Sequence, residues 1–412
     1  MKKIMTLAAV AALVFSACAK IETIETNEAI TFAGYAGNAI TKAGAYGEET
    51  TTTLQTNGFG VFAYQTTGNY SASATPNFMY NTKVSTSSWT YSPIKYWPNQ
   101  IQAGDTDGQP ATAYQADMVS FFAYAPHVAA TATTGAVTGT DEGIIALTDN
   151  GTAGDPKVTY KVSSDLSKQV DLLWAVSKGA AWTNVAGGTN TPTSGKPYLN
   201  LQKPAIGTAI HFYFKHALAQ INLKAVAAYN QVAAGGTAQN GVKITIASVE
   251  LIVPGMYQTA VLNLNNTDAD TPLWETASGS SDLALTVSGS NINSALKDGG
   301  DVAAASQPAG VTASEQDVIV DGKYYTIIPK TGSTTVNVKI TYYVTTDDAD
   351  LQKTYSRVEN VISKDVTFAS GFAAGTKNTI KMTLGISEVK FEAEVDDWAD
   401  GATQTVDLPL NS

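Results

Sequence analysis

Apolar and polar residues alternate in short runs along most of this chain, and no long stretch repeats with the helical period of 3.6. Phe59-Gly60-Val61-Phe62-Ala63-Tyr64, Val119-Ser120-Phe121-Phe122-Ala123-Tyr124 and Val170-Asp171-Leu172-Leu173-Trp174-Ala175 are the densest runs in the first half. In the second half come Ala219 to Lys224, Val242 to Ile246, Leu283 to Val287 and Val336 to Ile340. Clusters of Gly, Asn, Asp, Thr and Ser separate them. Side chains of a strand point alternately to its two faces, so such runs predict strands with turns between them. Many short strands with regular turn signals point to an all-β protein built from sandwiches or barrels.

A Gly-, Thr-, Pro- and Ala-rich stretch at 184–209 interrupts the pattern, and a new set of strands begins near His211. It suggests a boundary near residue 205, with one domain over 43–205 and a second over 206–412. Segments 129–157, 228–240 and 288–314, dominated by Ala, Thr, Gly, Ser and Asn, are expected to be loops. No short-period repeat argues for a solenoid or propeller.

The start of the chain has a different character. Lys2 and Lys3 precede an apolar run from Leu7 to Phe15, then the small residues Ser16 and Ala17. This is a secretory leader, 1–17, too short to span a bilayer. Cys18, the only cysteine of the 412 residues, follows it. Val14-Phe15-Ser16-Ala17-Cys18 resembles a bacterial lipobox, with Phe15 where leucine is usual. The resemblance implies lipidation of Cys18 and anchorage to the outer membrane through its acyl chains. A polar stretch to Glu28 then acts as a tether.

Composition narrows the functions. Charged residues make up 15 % and the net charge is −11. Arg357 is the single arginine. With neither a basic patch nor the bidentate donors that bases and phosphates favour, no nucleic-acid partner is expected. The three histidines, His127, His211 and His216, carry no metal-binding spacing, and residues five apart on a strand face opposite ways. No nucleophile elbow, phosphate loop or dinucleotide fingerprint is present, so neither an enzyme nor a cofactor is expected. Acidic strings such as Asp105-Thr106-Asp107, Asp347-Asp348 and Asp396-Asp397 lack the ligand pattern of a calcium loop and are expected in solvated turns. The aromatic strips around Trp89, Tyr91, Tyr96, Trp97, Phe121, Phe122 and Tyr124 serve either as strand cores or as a glycan platform; core is the commoner use.

In order and spacing, several strings resemble the fimbrillin family, the type V pilins of Gram-negative anaerobes. They are the lipobox at Cys18, Ile30-Thr31-Phe32, Thr41-Lys42-Ala43, Phe59 to Tyr64, and Tyr91-Ser92-Pro93-Ile94-Lys95-Tyr96-Trp97-Pro98. Phe121 to Pro126, Asp171-Leu172-Leu173, Phe214 to Ala219, Tyr325 to Pro329, Trp398 and Val406 to Leu410 continue the series. The resemblance implies two transthyretin-like (Ig-like) β-sandwich domains in tandem and a surface fimbria that supports cell adhesion. It implies a maturation protease cutting at Lys42-Ala43, so that segment 18–42 holds the tether and a removable first strand with Ile30 and Phe32. Other copies, or related pilin subunits, would then be partners by strand exchange.

The donor is expected within 386–410. There Val389, Phe391 and Val395 alternate with charged residues, and Val406, Leu408 and Leu410 repeat the alternation. The family's protease often takes arginine, whereas Lys42 is the only basic residue between Lys20 and Lys83. Either a lysine-tolerant protease acts, or the first strand stays and the chain is a non-polymerising anchor, accessory or tip pilin. The competing function is a surface lipoprotein that binds a host protein or glycan receptor.

Overall fold

The computed structural model describes residues 29–36, 50–98, 117–184, 189–204, 208–227, 242–266, 271–293, 316–348, 353–384, 389–397 and 404–406. In chain order the elements begin with β1 (Phe32–Ala36), α1 (Thr51–Asn57), β2 (Phe59–Thr67), β3 (Met79–Val84), β4 (Asp117–Ala125) and β5 (Gly143–Leu147). Next are β6 (Lys157–Lys161), β7 (Leu173–Val176), β8 (Trp182–Thr183), β9 (Thr189–Asn190), β10 (Tyr198–Leu201) and β11 (Ile210–His216). The second half opens with β12 (Ala219–Ala227), β13 (Val242–Asn263), β14 (Leu273–Ser288), β15 (Gln316–Asp317), β16 (Tyr325–Ile327) and β17 (Lys330–Thr331). It ends with β18 (Thr334–Asp348), β19 (Lys353–Phe368), β20 (Gly371–Phe372), β21 (Thr376–Leu384), β22 (Val389–Asp397) and β23 (Gln404–Val406).

The fold is all-β, and three large sheets carry it. The first runs β1-β11-β7-β4-β2-β3, with β10 also on β4. The second runs β15-β12-β21-β22-β23, with β16 on β12. The third runs β19-β18-β13-β6-β5, with β14 on β13. Every alternating run named above lies in a strand or overlaps one. The single α-helix among the described residues is short and threonine-rich, a poor composition for a helix. A capping box holds it: Thr50 and Thr53 exchange side chain-to-backbone hydrogen bonds at its start. Gly58, at φ +78°, ends it, and Leu54 is buried beneath.

The ladders cross residue 205 in both directions. β11 lies beyond it yet pairs with β1 and β7 of the first sheet. β5 and β6 lie before it yet belong to the third sheet, β6 pairing with the far end of β13. The expected loop at 129–157 therefore contains a strand, β5, in an isolated-looking Ala/Thr/Gly context that hid it. Asp347, Asp348, Asp396 and Asp397 likewise sit in strands β18 and β22 rather than in turns.

Packing explains why the densest apolar runs occur where they do. β2 and β4 are buried on both faces. One face places Phe59, Val61, Phe121 and Ala123 in a core with Ile30, Phe32, Phe212 and Phe214. The other places Phe62, Tyr64, Phe122 and Tyr124 in the larger core that the second and third sheets share. A strand covered on both faces needs continuous rather than alternating apolarity. The aromatic strips of the sequence are thus largely core: Tyr91, Trp97, Phe121, Phe122 and Tyr124 are buried, while Tyr96 is exposed.

A buried polar knot ties the first sheet's connections to the second sheet. The Gln169 side-chain oxygen accepts from the Thr326 backbone N–H at 2.8 Å and from its hydroxyl at 2.9 Å. The Tyr160 hydroxyl lies 2.9 Å from both the Thr326 hydroxyl and the Val170 carbonyl.

Candidate functional site

Two edges of the molecule hold the residues that the sequence singles out. The first is β1. It lies parallel to β11, Phe32 opposite Ile210 through Ala36 opposite Phe214, and has no second ladder among the described residues. Ile30, Phe32 and Ala36 point inward and are buried. The Phe32 ring meets those of Tyr91, Phe121 and Phe212 at centroid distances of 5.3, 5.9 and 5.9 Å. Gly34 occupies the remaining inward position. A Cβ there would stand 3.0 Å from the Phe59 ring and 3.1 Å from a Leu54 methyl, so the slot is shallow at that point.

The open side of β1 is fastened at both ends. At one end the Ile30 N–H donates to the Lys95 carbonyl at 2.9 Å, and the Tyr91 hydroxyl donates to the Ile30 carbonyl at 2.8 Å. At the other, the Thr51 hydroxyl donates to the Ala36 carbonyl at 2.7 Å and accepts from its N–H at 3.2 Å. Burial raises the Tyr91 pKa above its ordinary value, which keeps the hydroxyl a neutral donor. The outward face is different: Tyr35 is exposed and packs on Tyr213, over which the Lys178 ammonium sits at 4.1 Å.

β11, the floor strand for β1, is itself pinned. His216 at its end places Nδ1 2.9 Å from one carboxylate oxygen of the fully buried Asp171 and 3.0 Å from the other. Asp171 just precedes β7, the next strand. The Tyr198 hydroxyl donates to the His211 carbonyl at 2.9 Å, and burial pushes its pKa up to about 12. His211 is exposed, so the two histidines lie on opposite faces of β11. Asp171 and His216 are 45 residues apart, and nothing in the local pattern announces their contact.

The second edge is the C-terminal one. β22 pairs antiparallel with β21 from Leu384 opposite Val389 to Thr376 opposite Asp397. Phe391 and Ala393 are buried, and Val395 packs against the same core. On the other face Glu394 pairs with Lys381. β23 adds a short outer ladder in which Val406 lies opposite Ala393. The structure brings neither candidate segment to the other: β1 edges the first sheet and β22–β23 the second. Cys18, Lys42, Ala43, Leu408 and Leu410 lie outside the described residues, as does the leader.

Elsewhere, a cleft of about 570 Å³ is lined by Tyr257, Leu273, Trp274, Glu275 and Lys330, among others. Tyr257 and Leu273 are exposed there. Among the described residues no group of three His, Cys, Asp or Glu side chains could hold a metal ion. No helix among them is long and apolar enough to cross a membrane.

The chain is thus an all-β protein with an apolar strand docked on a sheet edge near its start, and sequence comparison gives its family. The profile of fimbrillin-like proteins matches residues 41–398, and the chain belongs to that family. It is 26 % identical over 382 residues to fimbrium subunit Fim1C of Phocaeicola vulgatus, covering 88 % of this chain and 87 % of that one. A crystal structure of a fimbrial protein from Bacteroides vulgatus superimposes with a TM-score of 0.58 at 22 % identity, over 90 % of this chain and 100 % of that one. The family is one of fimbrial structural subunits, parts of a surface appendage that assemble with other fimbrillins.

Proposed function

We propose that this chain is a structural subunit of a surface fimbria that supports cell adhesion and is assembled by strand exchange. The observation that carries this reading is β1: an edge strand, laddered on one side only, whose inward side chains fill an apolar slot. Its loss would open a trench lined by Phe121, Phe212 and Phe214 and leave the outer backbone edge of β11 unpaired. Unpaired buried backbone groups cost about 1–3 kcal/mol each, and exposed sheet edges take up strands from other chains. Cleavage at Lys42-Ala43 by a maturation protease would free β1. A C-terminal segment of another copy or of a related pilin would replace it. Lipidation of Cys18 would deliver the precursor to the outer membrane.

The absence of arginine before Arg357 favours one alternative, a non-polymerising anchor or accessory subunit that keeps β1. Cutting purified precursor after Lys42 tests the two. Ladders resistant to mild denaturant, formed only after cleavage, are expected of a polymerising subunit. Cleaved protein that stays monomeric under every condition would assign it the anchor role. Cys18→Ala is expected to abolish labelling by a fatty-acid analogue, and unchanged labelling would remove the lipid from the scheme.

A further inference from the structure

The cleft of about 570 Å³ between the third sheet and the β16–β17 segment takes no part in strand exchange: none of its lining residues belongs to β1, β22 or β23. Two irregularities of the β13–β14 ladder shape it. The register shifts between Val253 and Met256 and again between Thr259 and Val261, on either side of Tyr257. Bulges of this kind turn side chains out of the regular alternation. Tyr257 is left exposed, and so is Leu273 on the β14 side of the cleft. Trp274, next to Leu273, spends its indole N–H on the Ala217 carbonyl at 3.0 Å, so a guest meets its ring alone.

The first bulge also fixes a cation. It is formed by Pro254 and Gly255, the latter at φ +59°. The Pro254 carbonyl accepts from the Lys330 ammonium at 2.8 Å, and the N–H of the same peptide, that of Gly255, donates to Asp282 Oδ1 at 3.2 Å. The two groups of a trans peptide point opposite ways, which puts Asp282 on the side away from Lys330. Lys330 thus meets a neutral carbonyl and has N–H bonds to spare. The carboxylate of the cleft is already matched: Glu275 pairs with Lys157 at 2.7 Å and accepts from the Asn263 amide at 2.8 Å. The uncompensated charge lining the cleft is therefore positive, in a chain whose net charge is −11.

These features select among guests. From Thr259 to Asn263 β13 is laddered to β6 on one side and to β14 on the other, and the bulge peptide is bonded at both its N–H and its carbonyl. A peptide strand would find no free edge there. A purely apolar guest would bury the ammonium without a partner. Aromatic rings with an ammonium at one end suit a pyranose instead. Its C–H face lies on a ring, its hydroxyls stay in water, and an acidic group answers the cation. The lining from Gly255 to Ala260 spans about 15 Å of strand, enough for a short chain of sugars. We propose that this cleft binds a glycan through a carboxylate-bearing pyranose, stacked on Tyr257 with its carboxylate on Lys330, and holds the next sugar against Leu273 and Trp274. Sialic and uronic acids share this chemistry. The site goes beyond the fibre reading and does not depend on it, since a polymerised subunit and an anchor that keeps β1 would both present it.

The test titrates the uncleaved full chain, in a Cys18→Ser background, with oligosaccharides that differ only in their terminal sugar, followed by calorimetry. One ends in a sialic acid, one in glucuronic acid, and one in the glucose obtained by reducing that carboxyl. Saturable binding of at least one acidic form is expected, roughly ten-fold tighter than the reduced form, as one charge-assisted hydrogen bond implies. The preference should shrink as salt rises. Whichever acid binds identifies the source of the ligand. The cleft is unaltered in this comparison, so no folding defect enters it.

Substitutions then place the binding in this cleft. Lys330→Met is expected to abolish the preference for the acidic form and leave the weaker binding of the reduced one. Tyr257→Ala should weaken every form roughly ten-fold. Tyr35→Ala is the control: this tyrosine is also exposed and also lies beside a lysine, Lys178, but on the first sheet, and its loss should change nothing. Failure of all three sugars to saturate, equal affinity for acidic and reduced forms, or binding of the reduced form alone overturns the proposal. So does a preference that survives Lys330→Met, or a loss in Tyr35→Ala equal to that in Tyr257→Ala.

Discussion

β1 and β22 are both edge-region strands with a phenylalanine turned into a core, but they are held in different ways. β1 has five ladder positions, on one side only, and depends on its inward side chains and on two side-chain clasps. β22 has neighbours on both sides, a long antiparallel ladder with β21 and a short one with β23. Beyond the ladder it is fastened by Phe391 and Ala393 in the larger core and by an ion pair, Lys381 with Glu394. A strand with few backbone bonds depends on its buried side chains to stay seated. A strand held by a long ladder leaves only if an equivalent ladder awaits it. The difference makes β1 the more weakly laddered of the two edges, the one that depends most on its side chains.

The largest expected effect comes from emptying the plugs. Phe32→Ala and Phe391→Ala should each cost about 3–5 kcal/mol, the range for a buried phenylalanine, measured by denaturant unfolding. Hydrogen exchange sharpens the comparison. Phe32→Ala is expected to speed exchange in residues 30–36 and 210–214, and Phe391→Ala in 376–397. If either change loosened both regions, the two edges would be one cooperative unit and the comparison would fail.

Next in size is the knot between the sheets. Thr326→Val removes the hydroxyl that Gln169 and Tyr160 share and leaves buried polar atoms without that partner. A loss of about 1–3 kcal/mol is expected. Exchange at both edges should rise together here, because the knot ties the connections of the first sheet to the second. An effect confined to β16 would show that the larger core alone couples the sheets.

The clasp on β1 should matter less for global stability and more for β1 itself. Tyr91→Phe keeps the ring against Phe32 and deletes the hydroxyl that bonds Ile30. It is expected to cost about 1 kcal/mol and to accelerate exchange at residues 30–36 several-fold, with 376–397 unchanged. Unchanged exchange in β1 would mean that apolar contacts alone retain it.

Much of this organisation was legible in the chain. Strands and cores followed from alternation, because burial of one face or both writes itself directly into the order of apolar residues. Phe391 and Val395 could be singled out for the same reason, and Ile30 and Phe32 through the family resemblance. The partners could not. β1 lies on a strand some 180 residues away, and a parallel ladder leaves no turn signal between its members. The contact of Asp171 with His216, and the clasps from Tyr91 and Thr51, join residues whose local contexts are ordinary. Gly34 could be seen in the sequence, but its meaning depends on Phe59 and Leu54 above it. The strand β5 was hidden by an Ala-, Thr- and Gly-rich setting. β13 continues through Pro254-Gly255 because a bulge there, with Gly255 at φ +59°, absorbs residues that normally end a strand.

The smallest expected effect is at the C-terminal edge, and it bears most directly on whether β22 can move. Lys381, opposite Glu392 in the β21–β22 ladder, reaches diagonally to Glu394, their side chains 22 % and 11 % exposed. An ion pair of this kind adds up to about 1 kcal/mol, offset by desolvation of both groups. Glu394→Gln should therefore cost at most about 1 kcal/mol in low salt, with exchange in 389–397 rising slightly and β1 unaffected. Raising the ionic strength should shrink the difference between wild type and variant, since part of the attraction is open to screening. A larger, salt-insensitive loss would mean that the pair is integral to the core beneath it. β22 would then be as firmly bound as the central strands, and its exchange between copies would require unfolding of the second sheet.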